Sequence, residues 1–118
     1  MLKLKSFTIS LAREAGALLK KKFSQKHKIH YKGDINIVTE ADKISEDLII
    51  KSIRRNFPDH GILSEESPAI TGAGKIRWII DPLDGTTNYA HGFPVFCVPI
   101  AAQSHDDVIL GVIFDPMR

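Results

Sequence analysis

Two apolar segments most constrain how this 118-residue chain can fold. They span residues 95–102 and 108–114, and the joining sequence Ser104-His105-Asp106-Asp107 has the length and polarity of a β-hairpin turn. Both segments are apolar at nearly every position instead of alternating, which is typical of strands that are covered on both faces. We therefore expect a hairpin on which other elements pack from each side.

Two segments with helical features precede this hairpin. The first is predicted to be an amphipathic helix over residues 4–24, because its apolar residues recur at intervals of three and four. These residues are Leu4, Phe7, Leu11, Ala15 and Leu18. A second helix is predicted to begin at Thr39, where residues 39–42 have the form of a capping box. It should end near Asn56, since the residue before Pro58 disfavours helical backbone.

Shorter segments complete the predicted order of elements. Residues 27–32 alternate weakly and favour a short strand, followed by a turn at Lys32-Gly33-Asp34. Residues 61–64 and 76–80 are predicted strands, and the glycine-containing segment 68–75 between them is a predicted loop.

Composition is that of a single globular domain, with 43% hydrophobic and 25% charged residues and a net charge of +2. The charge is unevenly distributed: residues 1–32 hold nine basic residues and one acidic residue, whereas residues 33–118 hold seven and thirteen. The single cysteine, Cys97, excludes an internal disulfide. Since neither a signal peptide nor an apolar stretch of membrane-spanning length is evident, we expect a cytoplasmic protein without a membrane segment.

The candidate functional residues follow the predicted strand at 76–80. Asp81 ends this strand and Asp84 comes three positions later, so that two carboxylates can converge where a cation would relieve their repulsion. Gly85-Thr86-Thr87 then resembles the start of a helical turn, whose first backbone N–H groups suit a phosphate. Carboxylates beside phosphate-binding amides point to Mg²⁺.

Other acidic residues are candidates with competing structural roles. Glu65-Glu66 also follows a strand and is expected to bring Glu65 to the same metal cluster, although a solvated loop would have the same sequence. Asp42 is also explained as part of a helix cap, and Asp81 and Asp84 as turn residues. Cys97 lies in an apolar segment and is expected to be a core thiol.

These motifs resemble the inositol monophosphatase family. The similarity is strongest in Asp-Pro-Leu-Asp-Gly-Thr-Thr-Asn-Tyr at residues 81–89, followed by His-Gly-Phe-Pro at 91–94. Val-Thr-Glu-Ala-Asp at 38–42, Ser-Glu-Glu-Ser at 64–67 and Asp-Pro-Met-Arg at 115–118 resemble further family segments in the same order. The resemblance implies an α+β fold, the N-terminal half of a layered αβαβα sugar-phosphatase fold, with two helices packed on a mainly antiparallel sheet. Residues 1–118 would form that single N-terminal domain.

The same resemblance implies roles for individual residues. Glu65, Asp81 and the backbone carbonyl of Leu83 would hold a first Mg²⁺, while Asp81 and Asp84 would hold a second. Glu65 and Thr86 would orient a water molecule, and Asp42 would accept a hydrogen bond from Thr86. A final set would bind the phosphate of the substrate: Asp84, Gly85, Thr86 and Thr87.

Several alternatives remain open on the sequence alone. The resemblance favours Mg²⁺-dependent hydrolysis of phosphate monoesters, with inositol monophosphate as the first candidate among small phosphorylated polyols and sugars. Fructose-1,6-bisphosphatase or nucleotide phosphatase activity is the alternative within the superfamily. The resemblance also implies a homodimer and inhibition by Li⁺. A different hypothesis is a non-catalytic module that binds RNA or protein through its basic first helix, and a third is a chain that associates through uncovered apolar strands.

Two features depart from the family's pattern. Asn36 stands where many relatives have Asp, in a loop that can help to bind a third Mg²⁺, and Ser64 stands where Gly is common. The family pattern also continues for more residues than this sequence matches, and that part supplies a further Asp ligand of the second metal.

Overall fold

The computed structural model describes the backbone of residues 2–26, 34–64 and 67–118, and the side chains of residues 3–25, 40–64 and 67–118. Within these ranges the chain forms helices and strands in the order α1 (Leu2–Lys26), α2 (Asp34–Asn56), β1 (Gly61–Ser64), β2 (Ile76–Ile80), α3 (Thr86–Ala90), β3 (Val98–Ser104) and β4 (Asp107–Phe114). The predicted strand at 27–32 and the predicted ligand Glu65 lie outside the described residues. None of the helices in the described ranges has the combined length and apolar character needed to cross a membrane.

The four strands form one sheet in the order β1-β2-β3-β4. β1 and β2 are parallel, whereas β2–β3 and β3–β4 are antiparallel. Ile80 at the end of β2 is opposite both Ser64 at the end of β1 and Ile100 in β3. The parallel strands β1 and β2 therefore end at the same edge of the sheet, with Ser64 beside Ile80. The predicted α+β fold with a mainly antiparallel sheet is confirmed.

The hydrophobic core lies between the two long helices and one face of the sheet. α1 contributes Leu11, Ala15, Leu19 and Phe23. Leu11 and Ala15 belong to the predicted apolar stripe, whereas Leu19 is buried and the predicted Leu18 is only half-buried. The sheet contributes alternate residues, as a half-covered strand must. These are Trp78 and Ile80 in β2 and Val98, Ile100 and Ala102 in β3. Burial of such side chains contributes roughly 1.5–3 kcal/mol each.

The second helix begins earlier than its sequence indicates. α2 begins at Asp34, five residues before the capping-box residue Thr39, and it ends at Asn56 as predicted. Asp34 is itself of a residue type that favours helix starts, and each residue added to a nucleated helix gains a backbone hydrogen bond. The capping-box pattern at 39–42 therefore lies within the helix.

The hairpin is confirmed, but its cover is not as predicted. β3 and β4 are joined by a turn at His105-Asp106, with His105 in the left-handed region at a φ of 56°. Among the described residues the helices lie on the side of Trp78 and Ile100, where α1 packs on β3 and β4 and α2 packs on α1 and α3. On the opposite face Ile113 is 74% exposed and Leu63 is 38% exposed. The expectation of cover on both faces is thus not met by the described residues.

Candidate metal and phosphate site

Asp81 lies directly after β2, at the edge of the sheet where β1 also ends. Its backbone N–H donates to the carbonyl of Pro99 at 3.1 Å, which keeps the chain paired with the neighbouring strand. Its Oδ1 accepts a hydrogen bond from the backbone N–H of Leu83 at 3.3 Å. Aspartate side chains favour turns that are closed by such a contact. The half-buried Asp81 carboxylate is therefore held above the end of the strand.

Asp84 is held by a second backbone contact. Its N–H donates to the carbonyl of Cys97 at 2.9 Å, and its carbonyl accepts from the N–H of Cys97 at 3.0 Å. The side chain of Asp84 is exposed, and its Oδ2 lies 3.6 Å from the Cys97 thiol. The backbone of the turn is thus fixed while the carboxylate remains accessible to a cation or to solvent.

Gly85 connects this turn to α3. Its φ of 93° is in the left-handed region, which favours glycine, and a Cβ there would lie 3.0 Å from the carbonyl oxygen of Val95. Thr86 and Thr87 follow as the exposed first residues of the helix. Because the first N–H groups of a helix have no partner within it, this arrangement can present amides to an anion.

Buried contacts anchor α3 against the rest of the molecule. The hydroxyl of the fully buried Tyr89 donates to the carbonyl of Leu19 in α1 at 2.9 Å. Burial raises the pKa of Tyr89 above its usual range, so that the hydroxyl stays protonated and remains a donor. The side-chain amide of Asn88 donates to the carbonyl of Val95 at 3.0 Å. α3 is therefore held in place through its consecutive residues Asn88 and Tyr89.

Two further polar residues at the site were not predicted from the sequence. Ser45 Oγ donates to the carbonyl of Pro82 at 2.8 Å, and the buried carboxylate of Glu46 accepts hydrogen bonds from the hydroxyls of Ser64 and Ser67. Ser45 could have been identified from its position in the sequence, because it lies between Ala41 and Ile49 on the buried face of α2. A polar residue on such a stripe requires a buried partner.

The structure places the predicted site residues in two groups. One group forms a single turn after β2, and it contains Asp81, Leu83, Asp84, Gly85, Thr86 and Thr87. The other is the half-buried Asp42 on α2, a helix that packs against α3. Among the described side chains no three His, Cys, Asp or Glu groups gather into a metal-binding cluster, and Glu65 is outside that set.

The donors that are described suit a hard cation. Asp81 and Asp84 offer carboxylate oxygens and Leu83 offers a backbone carbonyl, all within one turn. Oxygen donors of this kind are the ligands that Mg²⁺ prefers, with substrate phosphate completing its shell. Cys97 is unsuited to the role of a nucleophile, because burial and the neighbouring Asp84 carboxylate raise the pKa of its thiol to about 11.

Comparison with known proteins agrees with this arrangement. The sequence profile of the inositol monophosphatase family matches residues 1–118. The solved structure of an inositol monophosphatase from Anabaena (Nostoc) superposes with a TM-score of 0.82 and 40% identity, covering 98% of this chain and 40% of that one. This chain belongs to the inositol monophosphatase family.

Two curated relatives show how much of a family member's length this chain covers. Inositol monophosphatase 1 of Solanum lycopersicum is 39% identical over 113 residues, which cover 92% of this chain and 41% of the relative. Nus factor SuhB of Pasteurella multocida is 41% identical over 116 residues, which cover 96% of this chain and 43% of the relative. The chain therefore spans less than half the length of the relatives that it matches.

Proposed function

We propose that this chain is the N-terminal, metal- and phosphate-binding part of a Mg²⁺-dependent phosphatase that hydrolyses phosphate monoesters. Residues 1–118 form one domain in this proposal. The observation that carries it is the turn at residues 81–87, in which a strand-end carboxylate, an accessible carboxylate and a glycine-initiated helix follow one another. Membership of the inositol monophosphatase family supports the same chemistry.

The proposed ligands are divided between two ions. Glu65, Asp81 and the carbonyl of Leu83 hold the first, and Asp81 and Asp84 hold the second. When bound, Mg²⁺ lowers the pKa of a coordinated water and offsets the negative charge that develops on the phosphoryl group. The protein's own contribution is to keep these donors in place, as the hydrogen bonds of Asp81 and Asp84 indicate.

The remaining residues are proposed to act on water and phosphate. Glu65 and Thr86 orient the attacking water, and Asp42 accepts a hydrogen bond from the Thr86 hydroxyl and so sets its direction. The packing of α2 on α3 supports this last contact. The proposed phosphate-binding residues are Asp84, Gly85, Thr86 and Thr87, and the backbone amides of Gly85 and Thr86 are the proposed donors to the phosphate oxygens. Donors fixed in advance stabilise the transition state without reorganising.

Inositol monophosphate is the substrate that we propose to test first. The tomato relative is named an inositol monophosphatase, and the resemblance of residues 87–94 to that family favours the same substrate. Fructose-1,6-bisphosphate and nucleotides are the competing substrates. Inhibition by Li⁺, a homodimer and a cytoplasmic location remain predictions that accompany this proposal.

The deciding experiment is a Mg²⁺ titration by calorimetry, combined with phosphate release from inositol monophosphate. We expect the parent chain to bind Mg²⁺ and the Asp81→Asn variant to lose that binding, because the variant lacks a carboxylate that would serve both proposed ions. Asp106→Asn is the matched control, since it makes the same chemical change in the exposed β3–β4 turn. Equal Mg²⁺ binding by the parent and Asp81→Asn would contradict the proposed site.

A further inference from the structure

Glu46 is a buried carboxylate whose two oxygens have separate partners. The residue is 6% exposed in the middle of α2. Its Oε2 accepts from the hydroxyl of Ser64 at 2.6 Å, and its Oε1 accepts from the hydroxyl of Ser67 at 2.5 Å. Hydrogen bonds to a charged acceptor are short and strong, and these two compensate for the removal of the carboxylate from water.

The partners of Glu46 stand on either side of one acidic pair. Ser64 is the last residue of β1, Ser67 is three positions later, and the two residues between them in the sequence are Glu65 and Glu66. Both oxygens of one carboxylate are therefore used to fix the two ends of a single short segment. That segment carries the proposed metal ligand Glu65.

Ser45, the residue before Glu46 in α2, makes a similar contact with the turn that contains Asp81 and Asp84. Ser45 is fully buried, and its hydroxyl donates to the carbonyl of Pro82 at 2.8 Å. Pro82 is itself buried and lies between the proposed ligands Asp81 and Leu83. Two consecutive residues of one helix thus hold the ends of two neighbouring parallel strands.

Core packing alone does not account for this choice of residues. An apolar side chain of similar volume at position 46 would avoid the desolvation of a charge, and such replacements are often neutral or stabilising. The hydrogen bonds of the buried Ser45 and Glu46 are instead directed to residues beside the proposed ligands. Removing a residue that orients metal ligands without binding the metal itself commonly weakens metal affinity.

We propose that Ser45 and Glu46 are positioning residues that hold Ser64 and Ser67, which flank Glu65 in the sequence, at a fixed distance from the Asp81–Asp84 turn. This inference rests on the proposed function, because it assumes that both segments bind the same metal cluster. Asp42 lies one helical turn before Ser45 and Glu46, so this stretch of α2 is the common support of the site.

The test measures Mg²⁺ affinity and the free energy of unfolding on the same variants of the 118-residue chain. Glu46→Gln keeps the volume but replaces one accepting oxygen with an NH2 donor and removes the charge from the other hydrogen bond. Ser67→Ala removes one of the two hydrogen bonds with less risk to folding. We expect each to weaken Mg²⁺ affinity by about ten-fold or more. Ser67→Thr retains a hydroxyl and is expected to restore the parent affinity.

A control separates positioning from general stability. Thr8→Val removes the hydroxyl of a fully buried residue, which bonds the Leu4 carbonyl within α1 far from the acidic segments in the chain. It should change stability and leave Mg²⁺ affinity unchanged. If Ser67→Ala and Glu46→Gln also leave affinity unchanged while Asp81→Asn abolishes it, the positioning role is wrong and the proposed function stands. If Asp81→Asn has no effect, both proposals are wrong.

Discussion

Asp84 and Cys97 form a two-way backbone pair, in which each residue donates its N–H to the other's carbonyl. The pair fastens the acidic turn to the segment that leads into β3, and it also brings the Cys97 thiol to 3.6 Å from Oδ2 of Asp84. A thiol in that position has an ionised neighbour that opposes its own ionisation. The contact therefore couples the chemical reactivity of Cys97 to the charge of Asp84.

The first prediction concerns this coupling. Because burial and the Asp84 carboxylate raise the thiol pKa to about 11, Cys97 should react slowly with a thiol reagent near neutral pH and faster as the pH rises. Asp84→Asn removes the negative charge, lowers the thiol pKa and should accelerate the reaction at a fixed pH. Reaction rates measured across the pH range check this, and the guanidinium-unfolded chain provides the reference rate. An Asp84→Asn rate equal to that of the parent would contradict it.

A second prediction concerns the backbone of the turn. Gly85→Ala should destabilise the fold by about 1–3 kcal/mol, because a left-handed residue acquires a Cβ that lies 3.0 Å from the carbonyl oxygen of Val95. Denaturant unfolding measures the change. Gly111→Ala is the control, since a Cβ at Gly111 meets no atom within 4 Å and its φ is not positive. Equal stability changes in the two variants would refute the explanation.

A third prediction gives a pH dependence of stability. Nδ1 of His60 accepts a hydrogen bond from the indole N–H of Trp78 at 2.9 Å, and burial lowers the pKa of His60 below 6.5 despite the opposing effect of Asp59. The unfolded chain therefore takes up a proton at a higher pH than the folded chain does. The stability that comes from the neutral imidazole is complete above about pH 6.5 and is lost as the pH falls through the folded pKa.

Trp78 fluorescence during denaturant unfolding tests this pH effect, because Trp78 is fully buried and is the single tryptophan in the sequence. We expect the free energy of unfolding of the parent to fall more steeply than that of His60→Gln between about pH 7 and about pH 5. The two slopes would be the same if His60 titrated identically in the folded and unfolded chains, and that result would contradict the prediction.

A fourth prediction concerns the uncovered face of the sheet. Ile113 is 74% exposed beside other apolar residues of that face, and such a surface favours association of the isolated chain with itself. Ile113→Lys should reduce concentration-dependent association in light-scattering measurements, because it places a charge in the apolar surface. Val108→Lys, which alters an exposed residue nearer the hairpin turn, is the comparison. No difference between the parent and Ile113→Lys would contradict a role for this face.

Much of the local structure follows from short-range patterns. The strand at residues 76–80, the hairpin after it and the helical turn after Gly85 are all predicted correctly, since strand propensity and turn residues act over a few positions. The start of α2 is predicted wrongly, because Asp34 and Thr39 both favour a helix start and local sequence does not rank them. The candidate ligands Asp81 and Asp84 are identified from their order in one segment, and their metal-binding role remains a prediction.

The sequence by itself determined the order of the elements, the acidic turn at residues 81–87 and the family to which the chain belongs. Only the tertiary structure decided that Ser45 meets Pro82 and that Glu46 meets Ser64 and Ser67. It also decided that α1 packs on β3 and β4 and that Ile113 is left exposed on the opposite face of the sheet. The physical reason is range: helical periodicity and turn geometry are local, whereas a buried polar group finds its partner only when distant segments pack together.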